Sequence, residues 1–529
     1  MWFNLFQKTG KSGKSIQTLL VLSLISVLLV AATIPVANWT SSGQSIINWR
    51  SQPLETSITP GNVASLTPMF SITTDGDVSA TPNISGGIAY FPDWGGSLWA
   101  VNATTGAPIW KVKLGNYTGI PGTVSRTTPT SATKGVLLVG TQEGAFLLAI
   151  NQRDGSLIWR TKLDNHPFAI ISTSPSVFKG VAYLGVASIE EAVAANPAYP
   201  CCTFRGSAVA VDIATGVIKW KTYTVPNNNN QPGGYSGNSV WGSSPVVDPA
   251  RNLVYLGTGN NYTAPACILN NTCTNDPANF TDAVLALDMS SGQIMWADPL
   301  MGLGSDAWNV ACFVPPFTNC PSNAGPDYDF GQGPMKLKAT INGKKVDILG
   351  IGQKSGSFWA VDPATGRILW QTVGGPGSAL GGMEWGSATD GTRIYYAISN
   401  QYGIPYTLKD GSTTTGGLWG ALDPATGAIL WQTADPNGAM DPGAVSVANG
   451  VVYAGSMGNP VRTGTGTAST NPTFFALDAA TGHILWSYVS GGSVNAGAAI
   501  ANGVVYWGSG YGRFGLGSPN FKFFAFKLP

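Results

Sequence analysis

The sequence predicts an all-β fold, an eight-bladed β-propeller preceded by an N-terminal hydrophobic segment. Three observations carry that prediction. One motif recurs seven times at fixed internal offsets, and an eighth copy breaks off before its last strand. The composition of the 529 residues, with 68 Gly, 18 Trp and only 10% charged residues, suits many short strands joined by tight turns.

The N-terminus reads separately from the repeats. Lys8, Lys11 and Lys14 precede an uncharged apolar run over 19–37, about the length that crosses a bilayer with its positive flank on the cytoplasmic side. A cleaved signal peptide, cut near Val30-Ala31-Ala32, is the alternative. Both send the remainder out of the cytoplasm, so residues 1–40 are assigned to an anchor or signal and 41–529 to an extracytoplasmic propeller. Cysteine usage agrees with export. Cys267/Cys273 and Cys312/Cys320 are spaced to close small loops in an oxidising compartment, Cys201 and Cys202 are neighbours, and none has zinc-ligand spacing with histidine.

The repeat has a plain physical reading. LWAVNATTGAPIW ending at Trp110 is followed by equivalents ending at Trp159, Trp220, Trp296, Trp370, Trp431 and Trp486; each has Asp or Asn eight residues before the Trp and Gly four before it. Alternating apolar residues make a strand, Asx and Gly make the turn, and the next strand carries a Trp large enough to fill the gap between neighbouring sheets. Two more strand-like runs lie upstream of most copies, which gives about four antiparallel strands per unit, a propeller blade. After the seventh copy, Phe524-Ala525-Phe526 matches Phe475-Ala476-Leu477 and then the chain stops. The segment 63–73 is expected to supply the missing strand and close an eight-bladed ring; a seven-bladed ring with a frayed end is the other arrangement.

Lys and Arg number 28 against 27 Asp and Glu, a formal net charge of +1, so no broad field exists to hold a polyanion and nucleic acid is not an expected partner. Trp-to-Trp spacings of 49 to 76 residues exceed the roughly 40–45 of a WD40 blade, so long loops decorate one face. Function is expected in those loops.

The Asp-X-X-Thr-Gly-X-X-X-Trp signature, with Cys201-Cys202-Thr203-Phe204-Arg205-Gly206 and Trp241-Gly242-Ser243-Ser244-Pro245, resembles the alcohol dehydrogenases that depend on pyrroloquinoline quinone (PQQ), and among them the polyvinyl alcohol dehydrogenase type, over essentially the whole exported chain. In that family a disulfide between adjacent cysteines lies against one face of PQQ and a Trp against the other. The resemblance thus implies that Cys201, Cys202 and Trp241 bind PQQ; the plain alternative is that the cysteines pair elsewhere and Trp241 packs between blades. In methanol dehydrogenases the cysteine pair lies one blade earlier, a departure from this chain.

The same resemblance implies the remaining site. Glu190 and Asn260 match the family's metal-binding Glu and Asn, with Glu191 a one-residue alternative, and oxygen ligands suit calcium. Asp327-Tyr328-Asp329-Phe330-Gly331 resembles the segment whose first Asp takes the alcohol proton and lies at the metal. Asp329 resembles an extra ligand of lanthanide-dependent members, so a lanthanide is the second candidate metal. Asp329 and Asp306 compete with Asp327 for the base role. Lys354, in Gly-Gln-Lys-Ser-Gly, matches a cation that hydrogen-bonds the quinone oxygens. Arg126 and Arg205 are weaker matches to contacts of PQQ carboxylates, and Glu384-Trp385-Gly386 to a substrate mouth.

The implied function is oxidation of an alcohol to an aldehyde or ketone. The chain has only His166 and His483 and no Cys-X-X-Cys-His, so electrons are expected to pass to a separate acceptor such as a cytochrome or copper protein. No Gly-X-Gly-X-X-Gly or βαβ pattern points to a nicotinamide. The rival function is a membrane-tethered, non-enzymatic propeller that binds partner proteins, which needs none of the loop residues together.

Overall fold

The computed structural model describes residues 37–301, 306–458 and 471–529. The expected anchor or signal lies outside them but for its last residues; among the described residues no helix is long and apolar enough to cross a membrane.

Eight antiparallel sheets are arranged as blades, seven of four strands and the third of five, where Ala169–Ile170 is added; their innermost strands are Asn83–Ser85, Thr130–Ala132, Ser176–Phe178, Val246–Asp248, Met335–Ile341, Ala388–Thr389, Ser446–Ala448 and Ala499–Ala501. The eighth is built from both ends of the chain: Thr67–Thr73 pairs antiparallel with Lys522–Lys527 as its outermost strand. The open edge of Lys522–Lys527 is thereby paired.

The repeat's tryptophan does more than fill space. In six of the seven copies the indole N–H donates to a carbonyl in the turn of the next blade, for example Trp110 to Gln152 at 2.9 Å, Trp220 to Met289 at 3.0 Å and Trp431 to Ala479 at 3.1 Å, while Trp486 donates to Leu66 O at 3.1 Å. The ring lies under the repeat's Gly of that next blade. A Cβ on Gly482 would stand 2.4 Å from Trp431, and its φ of +77° disfavours any side chain as well. The Gly and the Trp of successive copies are therefore one contact, four residues apart in the motif but a whole blade apart in space. The eighth blade lacks the Trp, and Phe70 takes its place against Gly106, 2.8 Å from a Cβ there.

A strap of residues 37–52 runs across the hub and joins the inner strands. Thr40 O accepts from Ser131 N, Ile46 O from Val247 N, Ile47 O from Lys336 N, Trp49 O from Thr389 N and Arg50 O from Val447 N, at 2.8–3.0 Å. Gln52 Nε2 reaches Ile500 O at 3.0 Å. These bonds tie the second, fourth, fifth, sixth, seventh and eighth blades to one segment.

Candidate functional site

In an antiparallel blade, the segment entering the first strand and the loop joining the second to the third lie at the same end. Asp327, Asp329 and Trp241 precede inner strands, whereas Glu190, Glu191, Asn260 and Lys354 sit between second and third strands. The topology therefore gathers on one face residues drawn from three successive blades.

At its centre is Lys354, whose side chain is 6% exposed. Its Nζ lies 3.1 Å from both carboxylate oxygens of Asp327 and 3.2 Å from Asp329 Oδ2. Asp329 also accepts from Trp241 Nε1 at 2.8 Å and from the Asn260 backbone N–H at 2.6 Å. The Asn260 amide nitrogen donates to Trp308 O and Asn261 O at 2.8 and 3.0 Å, which turns its oxygen away from those two carbonyls. Asp327 has φ of +61°, a left-handed conformation that Asp tolerates better than most side chains. Asp306 sustains it by accepting from the backbone N–H of Asp327 at 3.2 Å and of Tyr328 at 2.8 Å. Of the three aspartates considered for the base, Asp306 is thus engaged with backbone, Asp329 has three donors, and Asp327 Oδ1 and Oδ2 face only the lysine.

Negative charge exceeds positive here. Burial pushes the Asp327 carboxyl well above the usual carboxylate range, with Lys354 pulling the other way. Burial also opposes the Lys354 ammonium, but Asp327 and Asp329 hold it charged. Glu191 is pushed up to about 8 by burial, and it feels Lys354, Asp329 and Asp306. Asp282, which no sequence pattern marked, is buried and shares a hydrogen bond with Asp306, and burial and Asp306 raise it well above its ordinary value. The carboxyl groups of Asp327, Asp329, Glu384 and Glu191 all act on the one Lys354 ammonium, and such an excess favours a further cation. Among the described residues no three His, Cys, Asp or Glu side chains converge into a ready-made metal site; a cation would need ligands besides these, such as the Asn260 oxygen and a bound cofactor.

Glu190 is placed differently from its neighbour. Its Oε1 accepts from Thr203 N at 2.8 Å and Tyr199 OH at 2.6 Å, and Oε2 from Phe204 N at 2.8 Å, while His166 Nε2 stands 3.4 Å away. It is wholly buried, and although burial raises its pKa, His166, Tyr199 and the two amides bring it below the ordinary value. Glu190 thus holds the residues that follow Cys201–Cys202, and the structure brings Glu191, not Glu190, towards Lys354. Cys201–Cys202, Cys267–Cys273 and Cys312–Cys320 are all disulfides.

Two indoles form a half-buried aromatic wall. Trp241 and Trp385 meet edge to face at 5.2 Å, and Lys354 Nζ lies 5.1 Å from the Trp241 ring centre. Arg126 stacks on Trp385 at 3.9 Å. Glu384 is pushed up to about 7 by burial, against the pull of Lys354 and Arg126. An aromatic surface with cations at its edge suits a flat, anionic molecule. Arg205 stands apart from this group: its guanidinium stacks on Tyr223 at 3.9 Å and donates to Val225 O at 2.9 Å.

Comparison with known proteins bears on the fold and the family. A family model described as outer membrane protein assembly factor BamB matches residues 47–309, 280–457 and 414–514. A polyvinylalcohol dehydrogenase of Pseudomonas sp. is 30% identical over 517 residues, spanning 89% of this chain and 73% of that protein. Another, from Sphingopyxis sp. (strain 113P3), is 34% identical over 386 residues, 66% of this chain; the match spans only 53% of that relative. Among solved structures, quinohemoprotein alcohol dehydrogenase ADHIIG of Pseudomonas putida HK5 superposes with a TM-score of 0.70 over 93% of this chain and 80% of that one, at 20% identity. That likeness speaks for the fold.

Proposed function

The chain belongs to the PQQ-dependent alcohol dehydrogenase family, and from that premise we propose that it oxidises an alcohol outside the cytoplasm and passes the electrons to a separate acceptor, a cytochrome or copper protein. The observation that carries the proposal is Lys354 bracketed by buried Asp327 and Asp329 beside Trp241. A partner-binding propeller has no use for such a cluster, and taking its charges out of water is costly even when they are paired.

When bound, PQQ supplies the two-electron acceptor and a calcium or lanthanide ion supplies Lewis-acid polarisation. Trp241 offers one platform for the flat molecule and the Cys201–Cys202 disulfide the other; Arg126 offers a donor for a carboxylate. Asn260, Asp327, Asp329 and Glu191 would hold the cation, with Glu190 supporting the disulfide loop. Asp327 accepts the alcohol proton, its burial making it a stronger base than a solvated aspartate. Lys354 presents an N–H to oxygen that gains negative charge. Asp306 keeps Asp327 aimed through the backbone, and the aromatic wall excludes water. The apolar run over 19–37 is assigned to a membrane anchor or signal, and 41–529 to the propeller.

The test uses the purified protein with PQQ, calcium or lanthanum, a dye acceptor and a panel of alcohols that includes polyvinyl alcohol. Dye reduction should require both PQQ and cation, and Asp327→Asn should keep PQQ binding, read by tryptophan quenching, while losing turnover. No dye reduction together with no quenching would sink the enzyme reading.

A further inference from the structure

The hub carries a cavity that borders the candidate site, sharing Arg126 and Trp385 with it. A cavity of about 50 Å³ is lined by the strap and by residues of seven of the eight blades, which places it at the hub. Its wall holds Arg50, Arg126, Thr81, Thr128, Ser174 and Asn495, and no Asp or Glu. Arg50 is only 1% exposed. Its Nε donates to Val445 O and Nη1 to Ser42 O at 2.8 Å, and Nη2 to Thr81 Oγ1 and Ser446 Oγ at 3.0 and 3.3 Å. Every one of these partners is neutral.

Burial lowers the Arg50 pKa to about 10, with no carboxylate acting on it, so the side chain stays charged at neutral pH. A charge taken out of water without a counter-charge is among the costliest arrangements a protein can hold. The stretches 1–36, 302–305 and 459–470 contain neither Asp nor Glu. Water would bring a dipole to this cavity but no charge. Planar cofactors need pockets of about 300 Å³ or more, so the compensating species is small.

We propose that the hub cavity binds a small monovalent anion of halide size, held by Arg50 with the hydroxyls of Thr81, Thr128 and Ser174. Because Arg50 belongs to the strap, the anion fastens that segment into the ring and contributes to stability instead of turnover. The alternative source of negative charge is a carboxylate of a bound cofactor, which a cofactor-free preparation removes.

The experiment takes the full chain without PQQ, dialysed into sodium gluconate, and titrates bromide at constant ionic strength. The melting temperature should rise by several degrees and saturate, and crystals grown in bromide should show an anomalous peak beside Arg50. Arg50→Met should abolish the rise. Should that variant fail to fold, Thr128→Val and Ser174→Ala, which keep the charge, should each raise the half-saturating bromide several-fold. A melting temperature indifferent to bromide, a peak only elsewhere (an adventitious ion only), or an unchanged response in both hydroxyl variants overturns the proposal.

Discussion

Lys354 Nζ is equidistant, at 3.1 Å, from the two carboxylate oxygens of Asp327. Removing Lys354 strands Asp327 in a buried environment, whereas Lys354 without Asp327 keeps Asp329 at 3.2 Å. Lys354→Met should therefore cost about 3–5 kcal/mol of stability and lower dye-linked turnover by about 10²–10³-fold. Asp327→Asn keeps the shape and a hydrogen-bonding oxygen, so its loss of turnover, about 10²–10⁴-fold, should come with a smaller change in melting temperature. Equal thermal losses in the two variants, with turnover retained in Asp327→Asn, would count against Asp327 as the base.

Glu190 and Glu191 are adjacent yet face different tasks. Glu190→Gln replaces an acceptor of two backbone N–H groups and should destabilise the disulfide loop by about 1–3 kcal/mol, seen as a lower melting temperature and easier reduction of Cys201–Cys202. Glu191→Gln should leave melting nearly unchanged and raise the cation concentration needed for half-maximal activity. A reversed pattern would exchange their roles.

The Gly of the repeat is required by its neighbour as well as by its turn. Gly482→Ala places Cβ 2.4 Å from Trp431 at a φ of +77°, so it should cost about 2–4 kcal/mol through overpacking and strain together. Gly86→Ala has φ +58° and open space around the added methyl, and should cost only about 1 kcal/mol. Chemical denaturation of the two variants separates the contributions.

Strong acid should loosen the junction of the fourth and fifth blades. Arg251 Nη1 lies 2.9 Å from Asp248 and 2.8 Å from Asp347, while Lys336 and Lys338 add contacts at 2.8 and 2.7 Å. Burial opposes ionisation, yet Lys338 and Arg251 hold Asp347 down to about 2, and Lys336 and Arg251 hold Asp248 below its ordinary value. Carboxylates with depressed values stabilise the fold above about pH 4 and lose that contribution as pH falls towards about 2. Asp347→Asn should flatten the fall in melting temperature over that window; an unaltered slope would show that the network does not matter.

Much of the ring was legible because its information is local. The Asx-to-Trp offsets record a turn between two strands, and seven repetitions leave few other folds. The Gly–Trp contact between blades was not legible, since both residues already had sufficient reasons within a single copy. In the site, resemblance named Asp327, Asp329, Lys354 and Trp241, which the structure gathers. It also named Arg205, which packs on Tyr223 away from them. Asp282 was missed because a lone aspartate after Thr281 has no local signature; only its burial beside Asp306 marks it.

The sequence alone determined the number of strand units and the turns that join them, because periodicity and turn chemistry act between residues a few positions apart. Tertiary structure decided which carboxylate faces the lysine, which glutamate braces the disulfide loop, and that Arg50 is enclosed without an acid. Those outcomes depend on distances between loops of different blades, set by how the sheets pack around the hub, and a one-residue shift at the end of a strand is enough to exchange the side chains that meet there.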